Sequence, residues 1–186
     1  MLRLFILIAL LISSPVWGAD DKNVISDGDD KRLMLKGNDP VSYFTQPAPL
    51  AGRPDIKTEH DGVTYRFANE ENKRTFLAAP GKYAPQYGGF CSNGLVYAIP
   101  LGGGENYKII NGKLYMFGGA RSKAYFEMDE EKNVKLADHY WQTEVKGQDW
   151  REQSRKRLRM GNRVDHYKTN RQLAAEYEEY LKKKQK

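Results

Sequence analysis

Two dipeptides, Asp61-Gly62 and Asn111-Gly112, constrain this chain more than any other feature. Each sits between short runs in which apolar and polar residues alternate, "IKTEHDGVTYRFA" over 56–68 and "NYKIINGKLYMF" over 106–117. The type I′ hairpin turn needs positive φ at both central positions, and Asn or Asp followed by Gly meets that need. The sequence therefore predicts two β-hairpins. Val63, Tyr65 and Phe67 would share a buried face of the first; Tyr107 and Ile109 precede the second turn, and Leu114 and Met116 follow it.

The segments around the hairpins read as short helices. In "KGNDPVSYF", Asp39 is placed to cap a helix whose first position is Pro40, where a missing N–H costs nothing. Asn69 caps "EENKRTFLAA", which stops at Pro80 and is expected to turn Phe76, Leu77 and Ala79 inward. Residues 120–142 read as helix in two pieces broken near Asn133, with Tyr125, Phe126, Leu136, Tyr140 and Trp141 facing the core. The expected fold is α+β: a small antiparallel sheet built from two hairpins with short helices packed on it, plus a C-terminal helical extension.

The ends of the chain differ from this middle. Residues 1–18 hold one basic residue, an apolar run from Leu4 to Ile12 and small residues before a cleavage point after Gly18, the plan of a secretory signal peptide. The run is far short of the about 20 residues that span a bilayer, so the expected location is periplasmic or secreted. Residues 19–36, with "DDKNVISDGDDK", are expected to form a flexible leader. Residues 37–142 form the domain, and 143–186 a basic helical tail holding 13 of the 30 basic residues but 7 of the 24 acidic ones. The tail's apolar stripe, Val164, Tyr167, Ala174, Tyr177 and Leu181, is thin, which predicts loose packing or docking on a partner.

The strings "NDPVSYF", "DGVTYRFANEENKRTFLAAPGKYAPQYGGFC", "NGKLYMF" and "KLADHYW" resemble, in order and spacing, the exported branch of the YHS domain-containing proteins, from about Gly37 to Trp141. The resemblance implies a small α+β domain of the bacterial envelope, in a family loosely tied to heavy-metal handling. The cysteine clusters of the YHS modules on copper-transporting ATPases have no counterpart here, so metal binding of that kind is not implied. The tail lies outside the resemblance.

The chain has one cysteine, Cys91, which excludes an intramolecular disulfide and leaves a buried inert thiol, an intermolecular bridge or a reactive thiol. If Phe90 and Cys91 open a short helix, the sulfur lies beside free N–H groups that favour thiolate. Soft donors select Cu(I), so Cys91 is the candidate metal ligand, and copper or another soft ion the candidate cofactor. His60, His139 and His166 and the methionines Met34, Met116, Met128 and Met160 could add donors, but no two stand at a ligand spacing such as CxxC. His60 reads as a solvated loop residue and His139 as a structural one. Tyr83, Tyr87, Tyr97, Tyr107 and Tyr115 read as core packing or as the walls of a pocket beside Cys91. The "GGG" at 102–104 lacks the Lys-Ser/Thr of a phosphate cradle and reads as a loop. No complete catalytic constellation is present. The expectation is a non-catalytic binding protein with soft-metal or thiol-redox chemistry at Cys91. The alternative is an envelope interaction module whose tail docks a partner or an anionic membrane surface while Cys91 only packs. Nucleic acid is not an expected partner.

Overall fold

The computed structural model describes residues 20–99, 101–102, 104–159 and 166–185. The segment expected to be a signal peptide, Met160, the Gly161-Asn162 break and Val164 lie outside the described residues.

The α+β class, the two predicted hairpins, the short helices and the C-terminal helical extension are all present. Strands β3 (Arg53–His60) and β4 (Val63–Phe67) turn at Asp61-Gly62, and β5 (Asn106–Ile110) and β6 (Lys113–Phe117) turn at Asn111-Gly112. All four turn residues have positive φ, between 50° and 72°.

The leader is a correction. Instead of a flexible segment it forms a third hairpin, β1 (Val24–Asp27) and β2 (Asp30–Met34), and β2 runs parallel to β4. The main sheet is therefore mixed, in the order β1-β2-β4-β3, while β5 and β6 pair separately as a ribbon. What orders so polar a segment is charge pairing across the sheet. Arg66 on β4 donates to Asp30 (2.8 Å) and to Asp27 (2.5 Å), and Lys57 on β3 donates to Asp30 (2.6 Å). Because β4 is an inner strand, Thr64 and Arg66 are buried along with Val63, Tyr65 and Phe67.

The β5–β6 ribbon separates two cores. Alternation along β6 sends Leu114 and Met116 to a core with Met34, Tyr43, Val63, Tyr65 and Phe76, and sends Tyr115 and Phe117 to one with Phe90, Leu95, Phe126 and Leu173. Both faces of the strand are thus apolar.

Helices cover this frame. The short α1 (Ser42–Thr45) starts later than expected, with Val41 rather than Asp39 at its N-cap; Asp39 instead ties the turn before it to the sheet, its Oδ1 accepting from Val41 N (2.8 Å) and its Oδ2 from Ala68 N and Asn72 Nδ2. Asn69 caps α2 (Glu70–Ala78) as expected, but only Phe76 faces in. Leu77, expected inside, is 53% exposed, one helical step round from the face that meets the sheet. The turn α3 (Pro80–Tyr83) leads to the glycine corner and to α4 (Ser92–Tyr97). Helices α5 (Ala120–Glu127) and α6 (Glu130–Tyr140) break at Met128-Asp129, because Asp129 caps α6 by accepting from Lys132 N. Asn133, the expected break point, is buried inside α6, donating to Phe126 O and accepting from the Tyr97 hydroxyl.

The expected boundary at 142 falls inside a π-helical turn, Trp141–Val145, both ends of which are buried. The tail then packs firmly. Helix α7 (Trp150–Arg159) sends the Arg157 guanidinium inward to Leu95 O (2.6 Å) and Glu144 Oε2 (2.7 Å), and α8 (Asn170–Lys184) places Leu173 in the second core and Tyr177 edge-on to Tyr125.

Candidate functional site

The stretch that carries most of the resemblance forms a corner in left-handed backbone. Tyr87, Gly88 and Gly89 have φ of 55°, 58° and 79°. Glycine adopts this region freely, and the reason it is needed here is proximity. A Cβ on Gly88 would lie 2.2 Å from Asp21 O, and one on Gly89 would lie 3.1 Å from the Met34 sulfur. Residues 21–23 of the leader lie on the corner, with Asn23 N donating to Gly88 O (2.8 Å) and Asn23 Nδ2 to Gly89 O (2.9 Å). Tyr87, a non-glycine in this region, is fixed by its hydroxyl, which donates to Asp138 Oδ1 (2.9 Å), and by Tyr115 and Trp141 around its ring. Burial, reinforced by the Asp138 carboxylate, pushes the Tyr87 phenol far above its ordinary pKa, so it stays a proton donor.

Cys91 takes the N-cap position of α4, close to the expected helix start. It is 5% exposed; its Sγ accepts from Gly94 N (3.3 Å) and lies 3.0 Å from Ser122 Oγ. The thiol thus points toward α5, and Met116 is its neighbour through a main-chain bridge. Among the described residues no three His, Cys, Asp or Glu side chains are grouped to hold a metal ion. His60 ends β3 half-buried with its ring edge-on to Phe76, His139 is exposed beside Tyr140, and His166 stacks on Tyr140 at 3.6 Å. Native Cys91 is expected to be alkylated at least ~100-fold more slowly than in denaturant, since reaction requires local opening. Rapid native labelling at a pH-dependent rate would instead mark it as a working thiol.

A larger feature adjoins the corner. A cleft of about 510 Å³ opens between β2, the end of β6 and the loop before β5. Met34 and Met116 line it with Tyr43 and Asn38, and Lys36 reaches toward Glu105 (3.9 Å) on its rim. Burial raises the Tyr43 pKa, and Asn38 Nδ2 lies 3.5 Å from its hydroxyl. Of the five tyrosines singled out by sequence, none lines this cleft: Tyr83, Tyr87, Tyr97 and Tyr115 are buried in the cores, and Tyr107 packs edge-on to Tyr43. The pairing of Met34 with Met116 is invisible locally, because it depends on how β2 and β6 meet. Of the "GGG" stretch, Gly104 N donates to Phe117 O and Gly102 packs on the Asn23 side chain.

No family model matches the chain, and no curated protein or solved structure matches it.

Proposed function

We propose that the protein is an exported, non-catalytic binding protein that takes a soft ligand, monovalent copper foremost, in the methionine-lined cleft. One observation carries the reading: two methionines remote in sequence, Met34 and Met116, both nearly fully buried, line the same cleft. Thioether sulfur is a soft donor that suits Cu(I), which tolerates low coordination, and the volume is within the range of small-ligand sites. The signal-like stretch over residues 1–18 and the resemblance to exported YHS proteins agree with this reading. Cys91 then stands behind the site, its main chain bridging to Met116 and its sulfur turned to Ser122.

The test is a titration of reduced, anaerobic mature protein with Cu(I) against a competing chelator. Met34→Leu and Met116→Leu keep the volume of the side chain and remove only the donor. Each is expected to weaken binding by ~10-fold or more, while Cys91→Ser leaves it unchanged. Equal, weak binding by all four proteins would remove copper. Loss confined to Cys91→Ser would return the site to the thiol.

A further inference from the structure

We propose that the outer face of α7 is a docking surface for an anionic lipid bilayer. The inference is independent of the cleft and its ligand.

The helix is fixed in its roll about its own axis. Its inner side carries Gln153, Ser154 and Arg157, all buried, and the Arg157 guanidinium donates to Leu95 O, Ala98 O and Glu144 Oε2. Trp150, at the start of the helix, packs on Phe90. At 3.6 residues per turn, the side opposite this anchor carries Arg155 and Arg159, with Lys156 on one flank and Leu158 on the other. All four are exposed, and Leu158, at 67%, is the most exposed large apolar side chain of the described residues. The one acidic residue of the helix, Glu152, lies 3.5 Å from Lys156 and offsets a single charge.

Two exposed arginines beside an exposed leucine, Arg155 three residues before Leu158 and Arg159 next to it, match both halves of a bilayer surface. The guanidinium and ammonium groups meet lipid phosphates, while the leucine enters the boundary with the acyl chains. An acidic protein partner would account for the charges but leave Leu158 unexplained. Among the described residues no helix is long and apolar enough to cross a membrane, so this contact is lateral. The excess of basic residues over residues 143–186 adds a field of the same sign.

Vesicle flotation with the mature chain tests this. Wild-type protein is expected to float with vesicles containing phosphatidylglycerol at low salt and to stay behind with phosphatidylcholine alone. Roughly five-fold in affinity rests on each basic residue near the surface, so the combined variant R155E/K156E/R159E is expected to lose on the order of 100-fold or more. Leu158→Ser is expected to weaken binding several-fold at an ionic strength where the charges are partly screened. The positions are exposed, so melting curves should match wild type, which separates lost docking from lost fold. Failure of wild type to float at low salt, or equal flotation of wild type and triple variant, would overturn the proposal. Retention on polyglutamate without flotation would overturn it in favour of an acidic protein partner.

Discussion

Gly88→Ala is expected to lower the melting temperature by about 10 °C. Three costs combine at this position. An L-residue held at φ 58° costs ~1–2 kcal/mol. The added Cβ would stand 2.2 Å from a backbone oxygen, Asp21 O, so the leader must shift. That shift breaks the bonds from Asn23 to Gly88 O and Gly89 O, each contributing about 1 kcal/mol. A total of ~3–4 kcal/mol corresponds to roughly 10 °C in a chain of this size. Gly112→Ala is the control, since φ there is 72° and nothing lies within 4 Å of the new Cβ. It should lose only the conformational part, about 3 °C. Similar losses in both variants would mean that the close approach of the leader does not matter.

The second large effect belongs to Arg66. Arg66→Leu is expected to destabilise the domain by ~3 kcal/mol at neutral pH, because it leaves the Asp30 carboxylate, 6% exposed, with Lys57 as its one remaining charged partner. The loss should depend on pH. The Lys57 hydrogen bond, with help from Arg66, holds the Asp30 carboxyl below the usual carboxylate range despite its burial. A depressed folded pKa contributes stability that is present above the unfolded value of ~3.9 and disappears as pH falls through the folded one. Below about pH 4 the gap between wild type and variant should therefore narrow. Urea melts at pH 7 and pH 3 measure it, and a gap of the same size at both would show that Arg66 acts through packing alone.

How much of this was legible follows from where each determinant lies. The turns at Asp61-Gly62 and Asn111-Gly112 and the cap at Asn69 depend on adjacent residues, and all three formed as the sequence implies. The leader misled because its partners are remote: Asp27 and Asp30 look like a solvated acidic run until Arg66 and Lys57 are brought against them. A local signal was nonetheless present, since "SDGDD" holds the Gly28-Asp29 pair that closes the β1–β2 hairpin, with Gly28 at positive φ. Asp129, followed by two glutamates, likewise announced the start of α6 better than Asn133 marked a break. At the candidate site, reading along the chain singled out the lone thiol, whereas the fold turned it toward Ser122 and brought together two methionines that spacing could not connect.

The leader's position also sets an order of assembly. Asp20 meets α7 across 131 residues of intervening chain, through its ion pair with Arg151 and its carbonyl's bond from Trp150 N. Asp21 accepts from Gly147 N in the same region. The segment that leads into β1 therefore finds its last contacts only when Trp150 has arrived. A protein closed in this way depends on contacts between remote segments, which form late and slow its folding. The native state therefore forms in a late closure that brings residues 20 and 21 against residues 147–151.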